Sequence, residues 1–470
     1  MQRKACDQCY ALKKKCVIPS TSTSCLRCTK ASLICTTSRH QPRAGRPPKP
    51  DRGLPRTAKA SLGIWNYSIP SERNTDFSIL DDDGDNFYLH HDIYMLGSTF
   101  APDFHRSLVY CRQHSSHLLD DIFLACSSSL SWARFGILPA TEVDVRSGAA
   151  SVQKLRSATI TNAHDAVAVL MLGQALSAFD TLVDCTATMS ILRYSLELVR
   201  PWYAEILTLG SGVLEPVAVV PVFWDTIWCL LNGETPIIER GSVFRLRKGV
   251  VDRVVGVCTG LMPMMYDLCV VSRELAGLST TGETKLEDQK CALETIAHRV
   301  RSWDPERTSE LSNFTPFEIL SMKTQASMYR TGILLLIHHL HLRLHLRHHH
   351  NYPRNQDGDG DWQTQTAQIL ASTILTTRAN FFSLAGPTAK LQNTSFPLLL
   401  ALLEIAVSTD GMWESSTWLR HKPACVKRLF GFVEGFWRWK EEGNGCEIQG
   451  DVFDFTKDRN KSGRGMVPLI

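Results

Sequence analysis

The chain has 470 residues, of which 44% are hydrophobic and 21% charged, and its formal net charge is +4. That length allows two to four domains with substantial cores. The opening residues carry charge with no apolar run behind them, so they do not read as a secretory leader. The most apolar stretches (around Ala166–Phe179, Ile333–Leu346 and Pro397–Val407) read as too short, or too interrupted by charge and His, to span a bilayer. An intracellular chain with no membrane partner is therefore expected, and its clustered cysteines favour metal over disulfide. The average charge conceals an asymmetry. Residues 1–60 hold fourteen Lys and Arg against Asp7 and Asp51, a net +12, whereas the remaining 410 residues net −8. A small basic head on a mildly acidic body points to a polyanionic partner for the head.

The head begins with six of the fifteen cysteines: Cys6, Cys9, Cys16, Cys25, Cys28 and Cys35. The pattern Cys-x2-Cys-x6-Cys occurs, then eight residues, then the same pattern again. A Cys-x2-Cys pair grips one metal ion from a tight turn, and a third Cys returns after a short helical stretch. Zinc takes four thiolates in a tetrahedron, so one ion would leave two of the six unused. Two ions need eight positions, which six sulfurs fill when two of them bridge. Such a site is closed and structural, without the open position that catalysis requires. Six thiolates and two zinc ions lower the effective charge of the head only to about +10. A Cys₂His₂ finger is disfavoured because His40 stands alone, RING and LIM patterns use other spacings, and the remaining cysteines are scattered singly.

These residues resemble the fungal zinc binuclear cluster (Zn₂Cys₆) DNA-binding domain over Ala5–Cys35. The resemblance implies that Cys6 and Cys25 bridge the two zinc ions and that Pro19 shapes the central loop. It also implies that Lys13 reads CGG triplets of double-stranded DNA in the major groove, with Lys15 at a recurrent basic position. In the family, basic residues commonly follow the second cysteine and precede the reading lysine; here Tyr10 and Leu12 stand there, which implies fewer phosphate contacts. The residues themselves agree in kind. Lys13, Lys14 and Lys15 end a segment pinned between two cysteines, and a lysine can donate to guanine O6 and N7, while Lys14 suits a phosphate.

Residues 39–100 read as a linker, basic and then acidic. Within it Arg43-Ala-Gly-Arg46-Pro-Pro-Lys49 resembles an AT-hook with Ala44 where an Arg is usual, so Arg43, Arg46 and Lys49 are expected to contact DNA. A flexible basic tether is the equal alternative. The linker carries no leucine heptad, so dimerisation through it is not expected. Asp76–Asp92 mixes acidic and apolar residues and is expected to be a solvated loop before the next domain, with an activation segment as the alternative.

Residues 101–445 are expected to form a large all-α domain. Leu155–Leu198 has helical spacing, Gly210–Pro221 breaks it, and Phe223–Leu231 resumes a helix that Asn232-Gly233 and Pro236 end. Val251–Leu275, Glu283–Trp303, Pro316–Leu346, Trp362–Leu384 and Pro397–Val407 read as further helices. The segment Trp224–Glu239, followed by Asp252-Arg-Val-Val-Gly256 and a helix, resembles the fungal-specific transcription factor regulatory domain, which implies dimerisation or an effector response without catalytic residues. The run His338, His339, His341, His345 and His348–His350 has no acidic or cysteine partner at fixed spacing. It reads as a polar helix end that Asn351-Tyr-Pro353 stops. Asp357–Asp361 lacks the distal Glu of a calcium loop and reads as a loop insertion. Residues 446–470 are taken as a tail. No nucleophile elbow, zinc-protease motif, dinucleotide fingerprint or P-loop occurs, and no enzyme is expected.

The fold class expected is a small zinc-cluster domain over residues 1–38, built of two short metal-bound helical half-sites, with a large all-α domain. The function the resemblance implies is that of a nuclear, zinc-dependent, RNA polymerase II-type transcription regulator. It would control one pathway, such as a secondary-metabolite gene cluster, with the transcription machinery as partner and homodimers formed through the helical domain. The alternative is an interaction protein or co-regulator whose zinc cluster makes no sequence-specific DNA contact.

Overall fold

The structure is a computed structural model that describes residues 16–17, 24–30, 95–135, 142–209, 214–243, 251–277, 283–305, 309–349, 359–386, 389–405, 423–442, 453 and 455–456. Residues 1–60 and 61–470 form two compact units. The described part of the first contains one short helix, α1 (Leu26–Lys30).

The second unit is mostly helical, as expected for an all-α domain. Its α-helices are α2 (Ala101–Phe135), α3 (Glu142–Arg156), α4 (Ala163–Val183), α5 (Thr188–Val199), α6 (Tyr203–Ile206) and α7 (Glu215–Asn232). After these come α8 (Arg240–Val243), α9 (Met262–Gly277), α10 (Glu283–Ser302), α11 (Pro316–His349), α12 (Asp359–Ala385), α13 (Ser395–Glu404) and α14 (Pro423–Glu441). Among the described residues there is no strand, only an isolated antiparallel bridge between Asp252 and Gly256. Most of the longer helices adjacent in the chain pack side by side, and α14 touches both α13 and α4, closing the circuit of contacts.

The sequence marks several of the boundaries through caps. Asn162 accepts hydrogen bonds from His164 N (2.8 Å) and Asp165 N (3.0 Å), which satisfies two orphan donors at the start of α4. The helical spacing of Leu155–Leu198 is thus shared among three helices. The Asn162 cap separates α3 from α4, and the left-handed backbone of Cys185 (φ 58°) separates α4 from α5. At α11 a capping box forms: Glu318 N donates to Thr315 Oγ1 (3.3 Å), while Glu318 Oε2 accepts from Thr315 N (2.9 Å). The same carboxylate accepts from Thr99 N (3.0 Å) and Thr99 Oγ1 (2.7 Å), so it also anchors the segment that leads into α2. Helix α7 ends where Gly233 takes the left-handed conformation (φ 63°) and donates to Cys229 O.

Four expectations are corrected. Pro221 does not break the chain but sits inside α7. A proline there frees the carbonyl four residues back, and Gln174 Nε2 donates to that carbonyl, Val217 O, at 2.7 Å. Next, residues 251–256 are a tight loop, not the start of a helix. Asp252 N and Gly256 N donate to each other's carbonyls (3.1 and 2.9 Å), and α9 begins only at Met262. Gly256 has φ +54° with Gln325, Leu96 and Met322 around its α-carbon, so both its backbone and its space exclude a side chain. Third, α4 has 21 residues and is long and apolar enough to cross a membrane by length and composition. It lies between α2, α5, α7 and α14 as a core helix, with 67% of its most apolar window buried. Fourth, the chain beyond residue 445 contributes to the core: Phe453 and Phe455 are 8% and 4% exposed. Phe455 packs against Phe432, Phe436 and Trp439 of α14 at centroid distances of 5.0, 5.4 and 5.6 Å.

Candidate metal centre

In the head the structure describes Cys16, Cys25 and Cys28 among the expected ligands. Cys25 stands immediately before α1 and Cys28 lies within it, and both are buried, at 0% and 1% exposure. Their spacing places the two side chains one helical turn apart on one face, and Cys28 N donates to Cys25 Sγ at 3.3 Å. The Cys25 carbonyl accepts from Thr29 N (3.0 Å) and Thr29 Oγ1 (3.1 Å), which fixes the first turn. Leu26 N donates to Val17 O at 3.0 Å and ties the backbone beside Cys16 to the same turn. No disulfide forms among the described cysteines.

This donor set fits a thiophilic cation. A helix start and an amide N–H directed at sulfur both favour the thiolate form, and burying two thiolates is costly without a cation beside them. Among the described residues, however, no three His, Cys, Asp or Glu side chains converge on one point, so what the structure brings together is the Cys25–Cys28 pair. Cys6, Cys9 and Cys35, the residues Lys13, Lys14, Lys15, Arg43, Arg46 and Lys49 expected to contact DNA, and Tyr10, Leu12 and Asp76–Asp92 lie outside the described residues.

The helical domain holds polar groups that periodicity does not reveal. His339 Nε2 lies 3.0 Å from Glu404 Oε1 of α13, an acidic partner 65 residues away along the chain. Burial alone would raise the Glu404 carboxyl, but the hydrogen bond and charge of His339, with Lys440 and His338, hold it below its ordinary range. Burial lowers the half-buried His341. His339 thus links α11 to α13, and the described part of α11 runs to His349, while Asn351-Tyr-Pro353 lies outside the described residues.

A second network joins α5 to α7. The buried Asp225 carboxylate lies 3.1 Å from Arg193 Nη1, whose other Nη atom lies 3.1 Å from Glu234. The guanidinium also covers the Trp228 ring at 4.0 Å and donates to Cys229 Sγ at 3.3 Å. A third network surrounds the Asp252–Gly256 loop. Arg253 is 7% exposed, its guanidinium 4.0 Å from the centre of the Phe104 ring and 3.3 Å from Gln174 Oε1. Leu96 N donates to Arg253 O (2.7 Å) and Gln325 Nε2 to Val254 O (3.0 Å). Three distant parts of the chain therefore meet on one loop. The signal that could have found it is a Gly four residues after an Asp in a polar break between helices.

Comparisons with protein-family models, with curated proteins and with solved structures find no match.

Proposed function

We propose that this chain is a nuclear, zinc-dependent, sequence-specific DNA-binding transcription regulator and not an enzyme, with residues 1–38 as the reader and the helical domain as regulator and pairing surface. The observation that carries the reading is the duplicated Cys-x2-Cys-x6-Cys pattern, supported by the buried Cys25–Cys28 pair with its N–H···S bond. Cys6, Cys9, Cys16, Cys25, Cys28 and Cys35 would hold two zinc ions, which supply a closed cross-link in place of a hydrophobic core too small to form. On that support Lys13 donates to guanine in the major groove and Lys14 and Lys15 meet phosphate, while Arg43, Arg46 and Lys49 follow the backbone or minor groove of the same duplex. The partners are double-stranded DNA, the transcription machinery and a second copy of the chain.

Metal analysis and DNA titration of the full chain test this together. Two zinc ions per chain are expected, with DNA binding lost on chelation. Lys13→Ala is expected to cost about 1–3 kcal/mol on CGG-containing duplexes and to flatten discrimination against scrambled ones. Replacing Arg43, Arg46 and Lys49 together should weaken all duplexes alike and reduce the salt slope. A chain that binds one zinc, or whose discrimination survives Lys13→Ala, contradicts the reading. Two zinc ions with no discrimination at all would favour the co-regulator alternative, for which Tyr10 and Leu12 speak.

A further inference from the structure

We propose that the outer face of α12 from Gln365 to Ala385, on which no described residue is charged, is a two-fold interface between copies of this chain, which deepens the reading above by naming the surface on which its homodimer forms. Between Trp362 and Ala385 the helix carries one charged residue, Arg378. That residue is turned inward, 7% exposed, with its guanidinium 4.9 Å from the Phe382 ring centre. The exposed positions are otherwise Gln, Ser, Thr, Asn and Ala, with Ile369 and Leu384. By contrast α10, of similar length, exposes Lys285, Glu287, Asp288, Lys290 and Glu294. A charged face is the ordinary way to keep a surface helix solvated, and α12 lacks one over about six turns.

The apolar content of the surface concentrates at the same place. The described residues of unit 61–470 include five exposed large hydrophobics, Val145, Tyr194, Phe317, Ile369 and Leu384. Ile369 and Leu384 lie on α12, at 58% and 74% exposure, and Phe317 (42%) packs its ring 6.1 Å from Phe381 of the same helix. Ile369 and Leu384 are separated by about 22 Å along the axis and about 60° around it, so they mark the two ends of one face. A shallow open depression runs along the face from Gln365 through Ile369 and Ser372 to Thr376.

The occupant follows from symmetry and charge. In a two-fold contact each side chain meets a patch that its own copy also presents, so any charge near the axis meets itself. This face contains none, and its amides and hydroxyls both donate and accept, so they pair with themselves without leaving a group unsatisfied. The midpoint between Ile369 and Leu384 falls at Thr376–Thr377. An antiparallel copy about that point sets Ile369 of each chain against Leu384 and Phe317 of the other. One helix face buries less than the ~800 Å² per partner of a standard interface, so the dimer is expected in the micromolar range.

Sedimentation velocity of the zinc-loaded full chain without DNA, over about 1–100 µM, tests the proposal. Wild type is expected to move from monomer to dimer across that range. Ile369→Glu with Leu384→Glu should raise the dissociation constant at least tenfold with unchanged thermal unfolding, since both positions are exposed. Thr376→Lys and Thr376→Glu should each weaken the dimer alone and restore it when mixed, because position 376 lies beside the axis. A chain that stays monomeric throughout, or a dimer indifferent to these substitutions, overturns it. Cys9→Ser, expected to abolish DNA binding, should leave the dimer intact, so failure of the DNA reading and failure of this one are distinguishable.

Discussion

Asp225 shows how much one side chain can contribute when it is buried with partners. Burial pushes its carboxyl up to about 6 despite Arg193, the Ile237 N–H and Cys229, which oppose the shift. The ordinary value is 3.8, so between the two the folded chain holds more protons than the unfolded one. Stability contributed at this site is therefore present in mild acid and is lost as pH rises from about 4 through 6. Asp225→Asn removes the titration while keeping an acceptor for Ile237 N, which donates to Asp225 Oδ2 at 2.7 Å. The stability of wild type relative to Asp225→Asn is expected to fall by on the order of 2 kcal/mol between about pH 4 and pH 7. Urea unfolding of both proteins across that range measures it. A gap that moves in the opposite direction would mean that the Arg193 pair dominates the desolvation of the carboxylate.

At the scale of the element, α7 tolerates its internal proline because of a residue on another helix. Proline inside a helix ordinarily costs about 3 kcal/mol, partly from the carbonyl it leaves without a donor. Gln174 supplies that donor to Val217 O, and Tyr203 Oη donates to the neighbouring Ala218 O at 3.0 Å. Gln174→Leu is expected to destabilise by about 1–3 kcal/mol, because the buried carbonyl loses its partner. Pro221→Ala in that background restores an in-helix N–H for Val217 O and should recover part of the loss. A double-mutant cycle by chemical unfolding checks this, with a coupling of at least 0.5 kcal/mol expected. Additive effects would indicate that Gln174 acts chiefly through Arg253.

For the whole molecule, the circuit of helices depends on its last elements. Helix α14 links α13 to α4, Phe455 reaches back onto it, and Phe453 lies beside α11, with the Arg343 guanidinium 4.8 Å from its ring centre. Phe455→Ala is expected to cost about 3 kcal/mol, the lower end for a buried phenylalanine. Ending the chain at residue 445 should remove at least as much and lower the thermal midpoint. If truncation leaves unfolding unchanged, the segment adds nothing to the core.

The duplicated cysteine spacing and the basic head are legible in the sequence alone, because ligand type and spacing are local properties of the chain. So are the helices α10, α11, α12 and α13, whose apolar periodicity and end signals lie within the segment. Three kinds of feature are not legible there. The division of Leu155–Leu198 rests on an Asn cap and a left-handed cysteine, weak signals inside a continuous apolar pattern. Helix α14 has helical periodicity (Cys425, Leu429, Phe432, Val433 and Phe436 are its buried face), but Gly431 and Gly435 inside it weaken the local helix signal, and the burial of Phe455 depends on that face. The roles of Pro221, His339 and Asp252–Gly256 are decided by Gln174, Glu404 and Gln325, which lie tens of residues away. A buried polar group must find a partner, and only the tertiary structure determines which one stands close enough to serve.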